Sequence, residues 1–101
     1  MEKKKAHYDL KALQERTRIM GIGAFTATAK EGYLNMNLTG DEALAVVLAI
    51  ESGMFYKSMT THMDSRVWQD VYHAPCPNGK IAYIKLTLRE GAVIIQFKEK
   101  G

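Results

Sequence analysis

The residues of this chain best suited to chemistry are lysines and a tyrosine in its second half. Lys57, Lys85 and Lys98 carry ammonium groups, while Tyr83 and Gln96 add a ring, a hydroxyl and an amide. Lysines neutralise charge that develops on a phosphate in transfer. A tyrosine offers a stacking surface or a proton. Gathered on one surface, these groups would suit a phosphodiester. The wet side of an antiparallel sheet carries similar residues for solubility alone, and spacing does not separate the two.

Other constellations are weaker. Cys76 with His73 could be a Cys/His nucleophile pair or half a metal site. Zinc takes three or four ligands, and only His62 and scattered carboxylates remain to complete the set. Between its two prolines, Cys76 reads as a loop residue. Gly21-Ile-Gly23 lacks the third glycine and the preceding strand of a dinucleotide fingerprint, so it reads as a helix stop. Asp64 and Asp70 are the only acids between residues 57 and 89, and nothing obliges them to face each other. The methionines read as core filler, and Lys3 to Lys5 as a solvated tail able to touch RNA.

Composition bounds the possibilities. A chain of 101 residues, 47% apolar and 25% charged, predicts one soluble globular domain spanning 1–101. The longest apolar run, Ala43 to Ile50, falls well short of the ~20 residues of a membrane span. The basic start, Met1-Glu-Lys-Lys-Lys5, has no apolar stretch behind it, so no secretory signal is expected. A single cysteine suggests a reducing compartment, and the cytoplasm is the expected location. Residues 1–56 balance seven basic groups against seven acidic ones. Residues 57–101 carry seven basic groups against four acidic, so the whole surplus of +3 sits there. That half favours a polyanion.

Those side chains must be positioned by a sheet. Asp9 can cap a helix in which Leu10, Leu13, Thr17 and Met20 recur at helical spacing, with Gly21 and Gly23 as its stop. Phe25 to Thr28 fits either a short strand or the approach to a second helix ending near Leu34. Thr39-Gly-Asp-Glu42 fits a capping box. The helix behind it is apolar nearly all round and should be the buried one, ending at Gly53. From Met54 the period becomes two. Four strands are predicted at 55–61, 67–73, 80–88 and 92–99, with turns at Asp64-Ser65, Pro75 to Gly79 and Glu90-Gly91. Connections this short make an antiparallel meander, and helices followed by strands make an α+β fold.

A two-residue turn at Glu90-Gly91 sets the register of the last hairpin. One face then pairs Ile84 with Phe97, Leu86 with Ile95 and Leu88 with Val93, so the helices belong there. The other face pairs Tyr83 with Lys98, Lys85 with Gln96 and Thr87 with Ile94. A slip of one residue would break the match. Lys57 shares a face with Phe55 and Met59 by the same alternation. The strand around Trp68 stays ambiguous, since Trp68 and Tyr72 compete with Val67, Gln69 and Val71 for the core.

The blocks Phe55-Tyr-Lys-Ser-Met-Thr-Thr61, Trp68-Gln-Asp-Val-Tyr72, Tyr83-Ile-Lys85 and Phe97-Lys-Glu-Lys100 resemble the MqsR (motility quorum-sensing regulator) toxins. These are ribonuclease toxins of bacterial toxin–antitoxin pairs with a RelE-like fold. The resemblance implies four functional positions: Lys57, Gln69, Tyr83 and Lys98. It places Gln69 on the face of Tyr83 and Lys98, and turns Trp68 toward the helices. Lys85, Gln96 and His62 flank the implied site. His62 and Gln96 depart from the family pattern, which has a tyrosine and a small polar residue there.

The resemblance implies an endoribonuclease cleaving single-stranded messenger RNA at GC-containing sites without the ribosome. The RNA 2′-hydroxyl would attack the adjacent phosphate, giving a 2′,3′-cyclic phosphate without metal or other cofactor. Lys57 and Lys98 would stabilise the phosphorane, Gln69 would orient phosphate or base, and Tyr83 would position substrate or move a proton. His62 is a further acid–base candidate. The implied partner is an MqsA-type antitoxin, a zinc- and helix-turn-helix-containing protein. Two other classes use the same surfaces: an RNA binder that does not cut, and an interaction module offering its sheet edge.

Overall fold

Local side-chain caps start the second and third helices and a glycine stops the first, while Asp9 precedes the first without a side-chain cap hydrogen bond. In the computed structural model, which describes residues 1–89 and 91–101, α1 runs Leu10–Met20 behind Asp9 and buries Leu13 and Thr17. It stops at Gly21, whose φ of 59° suits a residue without Cβ. Both options for residues 25–28 are realised in part. Phe25 makes an isolated parallel bridge to Ile94, and Thr26 caps α2 (Ala27–Asn35) by accepting from the Ala29 N–H.

The capping box at Thr39 and Glu42 forms as expected and opens α3 (Gly40–Leu48). Two expectations for α3 need correction. It buries one side, Ala43, Val46 and Val47, while Ala45 and Leu48 stay exposed. It also ends at Leu48, well before Gly53. The Gln14 amide donates to the carbonyls of Val47, Leu48 and Ile50, so α1 satisfies the last turn of α3.

The sheet is a five-stranded antiparallel meander in sequence order. Its strands are β1 (Glu2–Lys3), β2 (Phe55–Thr60), β3 (Trp68–Pro75), β4 (Ile81–Arg89) and β5 (Ala92–Glu99). β1 was not expected. Lys3 and Lys4 are therefore not a free tail: the Lys3 ammonium lies 4.2 Å from the Trp68 ring centroid and that of Lys4 5.2 Å from Tyr56. The α+β expectation holds, with all three helices against one sheet face.

The predicted register holds for Tyr83–Lys98, Ile84–Phe97 and Lys85–Gln96, then breaks. Leu86 opposes Ile94, not Ile95, because a bulge follows Lys85. Ile94 is thereby turned into the core, Ile95 is left half-buried, and Leu88 is 42% exposed. Of the Glu90-Gly91 turn, Glu90 lies outside the described residues, and Gly91 has φ of 89°.

The ambiguous strand resolves by alternation. Tyr72 and Ala74 enter the core, with Tyr72 edge-on to Phe55, and Trp68 shares their side. Phe55 packs on the core and does not share a face with Lys57 as expected, because a bulge in β2 falls between the two; Met59 does share it. His7 stacks on Trp68 at 5.2 Å, so an N-terminal strap rather than a helix covers it. Asp70, fully buried on this side, anchors the strap. It accepts from the His7 and Tyr8 N–H groups at 3.0 and 2.8 Å and from the Ser58 hydroxyl at 2.6 Å. Beneath α2, Phe97 meets Tyr33 edge-on at 6.2 Å. Gly32 permits that approach, since a Cβ there would lie 1.7 Å from the Phe97 carbonyl oxygen.

Candidate functional site

The uncovered face is organised in rows across the strands. Lys57 opposes Val71, Val71 opposes Lys85, and Lys85 opposes Gln96. One step along, His73 opposes Tyr83 and Tyr83 opposes Lys98. One step the other way, Met59 opposes Gln69. Lys57, Gln69, Tyr83, Lys85, Gln96 and Lys98 thus share one face. Val71 is fully buried on it, between Lys57 and Lys85 in the row, but lies outside the helix-side core.

Charge on this face is concentrated and only partly compensated. The Lys57 ammonium lies 3.2 Å from the Glu2 carboxylate, which raises its pKa above the ordinary lysine value. Lys85 is shifted down, first by burial and then by the charges of Lys98 and Lys57, so it gives up its proton more readily than an ordinary lysine. The Lys98 ammonium sits 5.2 Å from the Tyr83 ring centroid.

Three shallow grooves follow the face. One of about 330 Å³ is lined by Thr26, Thr28, Gln69, Lys85, Ile95 and Gln96. A second, about 480 Å³, is lined by Tyr56, His73, Tyr83, Lys98, Lys100 and Gly101. A third of about 340 Å³ runs beside α2 and shares Thr28 and Gln96 with the first and Lys98 with the second. The three grooves adjoin through these shared residues, bordered by the Lys85, Lys98 and Lys100 ammonium groups, the Gln69 and Gln96 amides and the Glu31 carboxylate.

Of the residues singled out from sequence, His62 does not join the cluster. It is exposed on the loop between β2 and β3, beyond the Thr60–Trp68 pair and outside the rows that hold the lysines and Tyr83. The Cys76–His73 pair does not form either. Cys76 is buried with the core, where burial raises its thiol pKa, whereas His73 faces outward. Among the described residues no group of three or more His, Cys, Asp or Glu is placed to hold a metal ion.

Two residues of the face were missed. Tyr56 is the extra residue of a bulge in β2, and its ring stacks on His73 at 4.4 Å. A strict period of two sends Tyr56 to the opposite face from Lys57, so only the bulge reveals it. His73 carried a signal, as a histidine at alternating spacing from Gln69 and Val71.

Residues 5–99 match the family described as motility quorum-sensing regulator, toxin of MqsA. Over 103 aligned residues, covering 99% of this chain and all of the relative, the chain is 33% identical to the mRNA interferase toxin MqsR of Escherichia coli (strain K12).

Proposed function

From the premise that the chain belongs to the motility quorum-sensing regulator family of toxins, we propose that its open sheet face is an endoribonuclease site acting on messenger RNA. The observation carrying this reading is the two adjoining rows, Lys57–Val71–Lys85–Gln96 and His73–Tyr83–Lys98. They set three ammonium groups, an amide and a phenol on one sheet face, with Lys85, Gln96, Tyr83 and Lys98 lining its grooves.

Single-stranded RNA lies along the grooves. Its 2′-oxygen attacks the adjacent phosphorus, the bond from phosphorus to the 5′-oxygen breaks, and the products end in a 2′,3′-cyclic phosphate and a 5′-hydroxyl. Lys57 and Lys98 stabilise the two negative charges of the phosphorane. Gln69 orients the phosphate or a neighbouring base, and Tyr83 holds the substrate by its ring or moves a proton. Lys85 and Gln96 bind the flanking backbone. The positive charge of the lysines takes the part a metal ion plays in other nucleases. His62, away from the grooves, is left without a role in this scheme.

The finer assignments belong to the same reading: GC-containing cleavage sites, independence of the ribosome, residues 1–101 acting as one toxin unit, and an MqsA-type antitoxin partner. The protein works in the cytoplasm with its substrate; no helix among the described residues is long and apolar enough to cross a membrane.

The test is purified protein with end-labelled single-stranded RNA in excess EDTA. Discrete cuts with 2′,3′-cyclic phosphate ends, abolished by 2′-deoxy substitution at the cut, are expected. Cutting that needs a divalent cation, or that leaves 3′-hydroxyl ends, would overturn the mechanism. Intact RNA with a gel shift would leave a binding module.

A further inference from the structure

Three rings stand in a line at one end of the open face, beside the groups that handle the phosphate. Tyr56 stacks on His73 with centroids 4.4 Å apart and an interplanar angle of 26°. His73 in turn leans on Tyr83, 5.6 Å away at 39°. Tyr56 is 43% exposed, and the bulge in β2 puts it on this face. The ammonium groups of Lys4 and Lys57 approach its ring to 5.2 and 5.4 Å, and Lys98 and Lys100 line the adjoining groove.

The chain's own packing does not account for this arrangement. The bulge interrupts the ladder, the tyrosine stays exposed, and His73 Nε2 is buried with no hydrogen-bond partner among the described residues. Burial, with Lys100 nearby, holds the imidazole below its ordinary pKa, so His73 is an uncharged ring at neutral pH. An uncharged ring stacked on one phenol and tilted against a second gathers three aromatic rings at this end of the face, and the cations around them call for an anion. Flat, uncharged rings joined to phosphates are what single-stranded nucleic acid presents, and aromatic platforms take them irrespective of base identity.

Resting on the reading of this face as an RNA-cleaving site, we propose that the Tyr56–His73–Tyr83 row is a subsite for an unpaired nucleobase adjacent to the cut. The base stacks on Tyr56 in place of the Lys4 ammonium, and its phosphate lies among Lys4, Lys98 and Lys100. His73 is a positioning residue that holds the Tyr56 ring upright from behind.

The test couples a ring on the protein to a base on the RNA. Binding of a short RNA, 2′-O-methylated at the cut so that it stays intact, is measured for the full chain and for Tyr56→Ala, Tyr56→Leu, His73→Ala and His73→Phe. Each is repeated with RNA made abasic at one position flanking the cut. Tyr56→Ala and Tyr56→Leu should each weaken binding of intact RNA about tenfold, the low end of one base–aromatic stack. They should have less than a twofold effect on RNA lacking the stacked base. His73→Phe should bind like wild type, and His73→Ala should fall between. Additive losses at every abasic position would overturn the subsite. A wild type that cuts unmodified RNA but shows no coupling would sink the subsite alone. Coupling in a protein that never cuts would sink the cleavage reading and leave the subsite standing.

Discussion

The two faces of the sheet use the same strands for opposite ends. On β3, Asp70, Tyr72 and Ala74 point to the helix side, where they are buried and where every Asp70 contact is internal. Their neighbours Gln69 and His73 point outward to the grooves. On β4 and β5, Ile84 and Phe97 are fully buried, while Tyr83 and Lys98 beside them line a groove. With the chemistry on the open face as proposed, stability and chemistry are separated by one residue along the chain, so single substitutions should divide into two classes.

The largest effect should come from the covered face. Phe97→Ala removes a fully buried ring packed against Phe25 and Tyr33. It should cost about 3–5 kcal/mol, a large share of the roughly 5–15 kcal/mol of a typical domain. Chemical denaturation should show the loss, and cleavage should fall only because the protein unfolds. A normally folded Phe97→Ala protein would break the assignment of faces.

On the open face the balance reverses. Lys85 is half-buried and its charge is disfavoured by burial and by two neighbouring lysines. Lys85→Met should therefore melt at or above the wild-type temperature at pH 7, yet bind and cut RNA about tenfold less well through one lost phosphate contact. Melting together with steady-state cleavage separates the two. A marked drop in melting temperature would make Lys85 a structural residue.

The smallest effect distinguishes the faces by alkaline pH. Burial, helped by Asp70 and Asp9, pushes the Tyr72 hydroxyl up to about 12. A raised tyrosine value means the folded state keeps its proton longer. The stability it contributes is complete below about pH 10, the unfolded value, and is lost as the pH rises toward 12. Lys85, shifted down, has the opposite sign: the cost of its charge is relieved as pH rises through its folded value toward the unfolded one. Tyr72→Phe should flatten the alkaline fall in melting temperature, and Lys85→Met should remove the opposing rise. An unchanged alkaline profile in Tyr72→Phe would show that another group governs it.

Most of the covered face was legible in sequence because burial imposes a period. The capping box, the α1 stop and three pairs of the last hairpin follow from residue types alone. What escaped are irregularities that carry no compositional mark. A bulge costs one residue of register, so Leu86 met Ile94 and Ile95 left the core face. Another turned Tyr56 beside His73. β1, two residues long, is too short to show a period, and the strap on Trp68 depends on contacts some sixty residues apart. The open face was half legible. Alternation placed Lys57, Tyr83, Lys85, Gln96 and Lys98, but Gln69 needed the family resemblance, because Val71 is as apolar as a core residue yet faces outward.

The most direct test of this division is Lys98→Ala, measured for folding and cleavage on the same preparation. The exposed ammonium lies next to the fully buried Phe97. A wild-type melting temperature with cleavage reduced on the order of 10²-fold, the loss expected for one preorganised transition-state donor, is predicted. Cleavage at the full rate, or a protein that no longer folds, would contradict the claim that this face carries the chemistry independently of the core.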